Sequence, residues 1–415
     1  MSPAAADSGR PLSVVVYPHA MELGGSQMNA IDLAAAVRDL GHDVAVYAAD
    51  GPLVERVHAY GLPYLPAASG RIAPSPARAR DLARVVRERG VDVLHGYEWP
   101  PALEAYAAAT ATRRTAAVTV MSMSVAPFLP SSMPLVVGTE RIRDSVADRR
   151  GTVDVIEPPV DTAADRPGAG GAEFRAAHGL DGVGPVVVVV GRLAHELKLE
   201  GIRTAVRAVG RLAASRPVRL VVVGDGPARE IVADEVAKAN AEAGVEAVLM
   251  TGALQDPRPA YDAADICLGM GGSALRALAF GKPLIVQGER GFFQLVTQES
   301  VGQFLIQGWY GVGDGTTTPV DAFLAELVPV LDDVARRAVL GGFGRQLIEE
   351  RFSLAHAAER QVEIYRRAIA APPVIGVTAF DGARAGVGLV GYKVRRRVAR
   401  WRGTASADDF NARPV

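Results

Sequence analysis

The sequence predicts an α/β protein built from two doubly wound, Rossmann-like domains, and three observations predict it. The chain has 415 residues, more than one hydrophobic core usually holds. Short apolar runs rich in β-branched residues recur along it and alternate with Ala-rich helical stretches. Apolar strands separated by helices mark parallel sheets covered on both faces. The runs also fall into two series, which predicts one doubly wound sheet for each.

The first series comprises 12–18 (LSVVVYP), 43–49 (DVAVYAA), 91–97 (VDVLHGY), 116–122 (AAVTVMS), 134–139 and 153–159. The second comprises 185–193 (PVVVVVGRL), 218–226 (VRLVVVGDG), 246–252, 265–270 and 282–288. Helix signals follow the strands. After Gly24-Gly25-Ser26 the segment 27–40 places Met28, Ile31 and Ala35 on one face and ends at Gly41, a natural helix terminator. The resulting division is a first domain over 1–162, a Gly- and Ala-rich linker over 163–181, and a second domain over 182–352. A helix over 353–370 and a basic tail over 371–415 follow.

Composition narrows the function classes. Hydrophobic residues make up 49% and charged residues 22%, so the chain is globular. Lys+Arg is 45 against Asp+Glu 46, for a net charge of -1, which argues against a nucleic-acid binder that works by bulk charge. Cys267 is the one cysteine, which excludes an intrachain disulfide and a cysteine-built zinc site. The first residues lack a basic segment followed by a long apolar one, and no apolar run approaches the ~18 residues of a membrane span. The expected compartment is the cytoplasm. Lysine is rare, at 198, 238, 282 and 393 only, so each one draws attention.

Three motifs carry chemistry. Gly24-Gly25-Ser26 stands between a strand and a helix, where it is either a tight turn or a helix N-terminus open to an anion or hydroxyl. Gly191-Arg192-Leu193, with Lys198 six residues after Arg192, ends the first strand of the second series. Ligands of open α/β sheets bind at such strand ends. Two fixed cations there can neutralise a diphosphate without metal. The third motif is Gly269-Met270-Gly271-Gly272-Ser273, another glycine-rich opening of a helix. Its helix ends at Gly281 ahead of Pro283, and the next strand runs into Gln287-Gly288-Glu289-Arg290-Gly291.

Taken in order, these pieces resemble the retaining family 4 glycosyltransferases of the GT-B fold. The resemblance also includes GHDVAVYA, DVLHGY, IEPPVD, VGDGP, YDAADICL and ALRALAFGKPLIV, and spans roughly residues 12–370. It implies two Rossmann-like domains facing each other across a cleft, with the 353–370 helix crossing back to the first domain. It implies a nucleoside diphosphate sugar as donor and transfer with retention, without cofactor or metal. Arg192 and Lys198 would hold the diphosphate. Gly269, Gly271 and Gly272 would present N–H groups to diphosphate or sugar, with Ser273 beside them among the donor-binding residues. Gly24 and Gly25 would close over them, and Leu254 would lie by the nucleobase.

The chain departs from the family at its Glu-x7-Glu pair. The second acid falls at Arg276 and the first at Leu268. Arginine has no acceptor and cannot bind ribose hydroxyls as a carboxylate does. Three explanations compete: a rebuilt pocket in which Glu289 contacts ribose or pairs with Arg276, a donor whose extra anionic group meets Arg276, or a degenerate site. His95 has two readings as well. It orients the sugar or relays a proton, or it is a packed histidine at a strand end.

Acceptor contacts are expected from the first domain, with Glu98-Trp99-Pro100, Met121–Ser124 and Thr139–Arg141 as walls. The 385–402 segment sets Lys393, Arg395, Arg396, Arg397, Arg400 and Arg402 beside valines, Tyr392 and Trp401. It is either an arginine-rich extension or a cationic amphipathic helix on an anionic membrane. The second reading suits a lipid-linked acceptor at the inner face of the membrane. The rival functions are a non-catalytic GT-B partner of an active transferase, and a GT-B epimerase or phosphorylase.

Overall fold

A computed structural model describes residues 9–70, 73–371 and 375–404. Residues 1–8 and the last eleven of the tail lie outside these. The chain divides into two compact units, one running to Pro159 and resuming at Leu354, the other spanning Val160–Ser353.

The first unit opens with β1 (Ser13–Tyr17), α1 (Gly25–Asp39), β2 (Asp43–Ala48), α2 (Val54–Ala59), β3 (Tyr64–Pro66) and α3 (Pro76–Arg89). It continues with β4 (Val93–Tyr97), α4 (Trp99–Thr112), β5 (Thr115–Val120), β6 (Leu135–Val137), α5 (Glu140–Asp144) and β7 (Val153–Val155). Local chemistry explains the boundaries. Ser75 caps α3 by accepting the Arg78 N–H, Pro76 occupies its first turn, and Gly90 ends it in the left-handed region at φ 66°. The sheet is wholly parallel in the order β3-β2-β1-β4-β5-β6-β7. Its order reverses between β1 and β4.

The second unit holds α6 (Gly171–Ala177), β8 (Val186–Val190), α7 (Leu199–Ala213), β9 (Arg219–Val223), α8 (Arg229–Ala243), β10 (Val248–Gly252) and α9 (Arg258–Ala263). It then holds β11 (Ile266–Gly269), α10 (Gly272–Ala279), β12 (Leu284–Gln287), β13 (Phe293–Leu295), α11 (Val301–Gln307), α12 (Pro319–Leu331) and α13 (Val334–Arg351). The sheet order is β10-β9-β8-β11-β12-β13, parallel except for the antiparallel edge strand β13. β8 is five consecutive valines, as a strand covered on both faces requires. The order reverses between β8 and β11, which defines the ligand-binding end of such a sheet.

Two of the expected segments differ from the structure. The 163–181 stretch is not a free linker. It contains α6, which is tied to the second unit by Asp262 accepting the Gly168 and Gly171 N–H groups and by Arg175 bonding Asp265 and the Ala263 carbonyl. The 371–415 tail is not loose over its described part. After α14 (Leu354–Ala370), which packs Ala358, Val362 and Tyr365 into the first unit's core, α15 (Ile375–Trp401) forms a 27-residue helix on the same unit. Tyr106 Oη donates to the Thr378 carbonyl, buried Asp381 accepts the Ser132 N–H at 2.8 Å, and the Phe128 and Tyr392 rings lie 5.1 Å apart. These contacts offset the glycines along α15, each of which weakens a free helix by about 1 kcal/mol.

Candidate functional site

In the second unit the loops after β8, β11 and β12 meet at the carboxyl end of the sheet. The β8 loop is stitched to the next one. Gly191 N–H donates to the Val223 carbonyl, Leu193 N–H to the Asp225 carbonyl, and Ala228 N–H to the Leu193 carbonyl. Leu197 takes a left-handed backbone conformation, φ 64°, just before Lys198 enters α7 as its cap. Lys198 is half-buried and Arg192 exposed. Burial, and then the Arg192 charge, hold the Lys198 ammonium below its ordinary pKa. Among the described residues neither cation has a carboxylate partner. An ammonium held below its ordinary pKa beside a second cation is stabilised by an incoming anion.

The β11–α10 connection leaves the same end of the sheet, because β11 pairs in parallel with β8. It is two residues long, Met270 and Gly271. Gly271 has φ 55°, ψ -134°, a conformation that favours glycine, and it donates its N–H to the Trp309 carbonyl at 2.7 Å. The Ser273 hydroxyl donates to the Met270 carbonyl. Both groups are therefore spent on the loop, a correction to the expectation that they meet a ligand. Gly272 opens α10 with nothing within 4 Å of where a side chain would begin. Ala274 and Leu275 N–H donate to the Gly271 carbonyl, which leaves the Gly272 and Ser273 N–H groups of the first turn to favour an anion. Gly269 ends β11 against Ser273 and Ala274, with its backbone in the sheet. Leu254, half-buried after β10, packs on the second unit's core.

Glu289 and Arg276 are not paired. The Tyr310 hydroxyl donates to the Glu289 carboxylate, while the Glu289 N–H donates to the Gly311 carbonyl. Burial, and then Glu289, raise the Tyr310 phenol. Arg276 Nε lies 3.3 Å from a carboxylate oxygen of buried Asp165. Its charge is thus met within the protein, and an extra anionic group on a donor is not needed to balance it. Leu268 is 2% exposed inside β11, opposite Val189 and Ile285. A carboxylate there would sit unpaired among apolar side chains, which explains the missing first acid.

Arg276→Glu tests the pairing, because it sets a second carboxylate against Asp165. We expect it to lose about 2 kcal/mol of stability, and Asp165→Asn in the same chain to recover most of that. Urea unfolding of the three chains checks this; full stability in the single variant overturns it.

In the first unit, Gly24 caps α1 in an extended conformation and a side chain on it would strike Gln27 Oε1, whereas Gly25 faces open space. The next residue reaches a group that sequence reading placed only on the acceptor wall. Glu98 is buried at the end of β4 in the left-handed region, φ 66°. It accepts the Met121 and Ser122 N–H groups and the Ser122 and Ser26 hydroxyls. Burial pushes its carboxyl above the ordinary range, opposed by these donors. A non-glycine residue held at this φ costs of order 1–3 kcal/mol and marks a position the surroundings over-determine. Glu98 thus fixes the β1–α1 loop to the β5 loop at the switch point. Trp99 packs edge-on against Phe128 and Tyr392, 5.3 and 5.9 Å between centroids, rather than standing free as a platform.

His95 is the clearest correction to a catalytic expectation. It is 0% exposed. Its Nδ1 lies 2.6 Å from Tyr365 Oη and its Nε2 2.7 Å from Thr119 Oγ1. Both ring nitrogens are satisfied by hydroxyls, and burial lowers the pKa to about 3. The ring belongs to the core and cannot reach a sugar.

A pH dependence of stability follows from this burial. The folded imidazole stays neutral while the unfolded one takes a proton near 6.5. The unfolded chain therefore binds more protons between those values. Stability is complete above about 6.5 and falls as pH drops towards about 3, by up to ~1.4 kcal/mol per pH unit. From pH 7 to pH 5 the expected loss from His95 is about 2 kcal/mol. In His95→Gln, less stable overall, urea unfolding at the two pH values should show a smaller drop. An unchanged drop would refute the assignment.

Trp309, Tyr310, Glu200 and Glu98 were not expected in these roles. Glu200 accepts the Arg290 and Gly291 N–H groups and anchors the loop after β12. The sole sequence signal for the aromatic pair was its bracketing by Gly308 and Gly311. Among the described residues, no three His, Cys, Asp or Glu side chains gather as a metal site.

Two protein-family models match the chain, one in each unit: Glycosyltransferase Family 4 over residues 23–123 and Glycosyl transferases group 1 over residues 184–310. A curated relative, the D-inositol 3-phosphate glycosyltransferase of Kineococcus radiotolerans, is 29% identical over 260 residues, covering 57% of this chain and 57% of that protein. The chain therefore spans just over half the length of that relative. A solved glycosyltransferase from Rickettsia africae superposes with a TM-score of 0.69 at 15% identity, over 88% of this chain and 100% of that one. Anabaena HepE, solved with UDP, gives 0.66 at 15% identity over 85% and 99%; with UDP-glucose it gives 0.64 at 14% over 84% and 98%. At these identities the likeness is one of fold, the GT-B class of two Rossmann-like α/β units.

Proposed function

We propose that this chain, whose two units carry matches to glycosyltransferase family models on a GT-B fold, moves a sugar from a nucleoside diphosphate sugar to an acceptor. The observation that carries the reading is the pair Arg192 and Lys198, without carboxylate partners among the described residues, after β8, whose neighbour β11 leads into the first turn of α10. As the sugar–phosphate bond breaks, negative charge builds on the departing diphosphate. Preorganised cations and helix N–H groups stabilise that charge more than the ground state, and so lower the barrier. Retention would follow from same-face attack within an ion-pair-like state, without a protein nucleophile. Glu289, held by Tyr310, is the acid in this reading that replaces the family's missing carboxylates at the donor.

The donor base we favour is uracil, on the likeness to HepE solved with UDP and UDP-glucose. The acceptor is taken to be lipid-linked and presented at the cytoplasmic face, as in exopolysaccharide or glycolipid assembly. D-inositol 3-phosphate, named for the curated relative, is the small acceptor to assay beside it. A second reading, a nucleotide-binding but inactive partner of another transferase, draws on the apolar Leu268 and the internally paired Arg276.

Thermal unfolding against UDP, GDP, TDP, ADP and inorganic phosphate tests the first step. A ligand at about 100 times its Kd adds about 2.7 kcal/mol. A shift with one diphosphate and hydrolysis or transfer of its sugar supports the transferase. A shift without turnover supports the inactive partner, and no shift overturns both.

A further inference from the structure

We propose that α15 docks the first unit on an anionic lipid surface by laying one face into it. At about 100° per residue, the side chains of α15 sort into opposed faces. Thr378, Asp381, Ala385, Leu389, Tyr392 and Arg396 face the first unit, buried or half-buried. Val387, Val390, Val394, Val398 and Trp401 form a continuous stripe pointing about 180° away, while Phe380, about two turns earlier, carries the Arg150 guanidinium on its ring. All five are exposed, with Val387 at 76% and Trp401 at 87%. A helix surface facing water is normally polar, and a contiguous apolar stripe on it calls for a partner.

The charges name that partner. Arg397, Lys393 and Arg400 flank the stripe on one side, and Arg384, Arg395 and Arg402 on the other, all exposed. Residues 382–404 contain no Asp or Glu. A second copy of the chain on this face would bring like charges together. An anionic bilayer accepts both parts, taking the apolar stripe below its headgroups while the cations reach up to its phosphates. No helix among the described residues is long and apolar enough to cross a membrane, so the helix lies along the surface.

A groove beside the helix fits the same occupant. Between α4 and α15 runs an apolar cavity of about 410 Å³, lined by Leu103, Tyr106, Ala379, Gly382, Gly386 and Leu389 among others. It follows the helix flank that Lys393, Arg397 and Arg400 continue. Its lining holds no charged side chain and suits an acyl chain, and the cations stand beyond it on the same flank.

The inference stands on α15 and not on the transfer chemistry, so the two can fail separately. The test uses the full chain and vesicles of phosphatidylcholine alone or mixed with phosphatidylglycerol, read by co-sedimentation. Wild type should pellet with the anionic vesicles, lose binding as salt rises, and stay free of the neutral ones. Emission from Trp401, isolated by subtracting Trp401→Phe, should shift to the blue on binding. Val390→Glu with Val394→Glu changes exposed residues and leaves folding, and any UDP-induced thermal shift, intact. It should weaken vesicle binding about tenfold or more. Arg395→Glu, Arg397→Glu and Arg400→Glu together should weaken it about a hundredfold. Binding that survives the stripe substitutions, absence of binding by wild type, or self-association abolished by the same substitutions would each overturn the proposal.

Discussion

Lys198→Ala is expected to leave the chain folded and to remove its response to nucleoside diphosphates. The ammonium is half-buried, depressed below its ordinary pKa by burial and by Arg192, and bonded to no carboxylate among the described residues. Deleting such a charge relieves a desolvation cost, so the midpoint without ligand should stay where it is or rise. The ligand-bound midpoint should fall to meet it. Removing one preorganised charge-stabilising group from an active site typically lowers turnover by about 10²–10³-fold, or ~2.7–4 kcal/mol of transition-state stabilisation. We expect kcat/KM with a nucleotide sugar to drop in that range, with kcat carrying most of the loss, because charge on the diphosphate grows as the bond breaks. Thermal scans and initial rates on the same preparations separate the outcomes. An unchanged UDP shift in Lys198→Ala would remove the diphosphate from this site.

Gly224→Val is expected to produce the largest loss of stability. The Val-Gly-Asp-Gly loop after β9 lies directly on the β8 loop, and a side chain at Gly224 would run into the carbonyl oxygen of Gly191. The obstructing atom is backbone, held by the Gly191 N–H bond to the Val223 carbonyl, and cannot swing aside like a side chain. Overpacking of this kind costs roughly 1–3 kcal/mol and occasionally more, and we place this case at about 3 kcal/mol. The cost carries a functional consequence. Gly191 precedes Arg192, and a methyl on it would stand 3.4 Å from Lys198 Nζ, so displacing it moves both cations. The folded fraction of Gly224→Val should therefore bind UDP more weakly as well. Gly342→Ala, whose new methyl meets nothing within 4 Å inside α13, is the control and should be neutral or stabilising. Urea unfolding of the pair decides; equal stability of Gly224→Val and wild type would show that the two loops do not press on each other.

Much of the architecture is legible in the sequence. The β-branched runs, the Ala-rich helices between them, and the glycines at strand ends and helix ends mark elements by local period and turn chemistry. The expected helix over 27–40 is α1, ending before Gly41 at φ 91°. The expected helix over 353–370 is α14. The cationic pair was legible too, because lysine is so rare here that Lys198 stood out six residues beyond Arg192.

Partners were not legible. Periodicity specifies which face of an element is buried but not what lies across from it. For His95 the sequence leaves two readings open, a sugar contact or proton relay suggested by the family resemblance and a packed histidine at a strand end. The fold brings Tyr365 from 270 residues away to close over it. Arg276 was matched to Glu289 or to a donor, and Asp165 from the segment before α6 takes it. Glu289 receives the Tyr310 hydroxyl, on a loop no motif marked. Glu98 was a wall residue by position and is a hub by geometry, since four donors from two loops converge on it. Element type, element order and the Arg192–Lys198 spacing are properties of short segments, and short segments carry them. Whether a polar side chain is spent inside the protein or left for a ligand depends on strand order and on helices returning from far along the chain. That is settled only when the whole chain is packed.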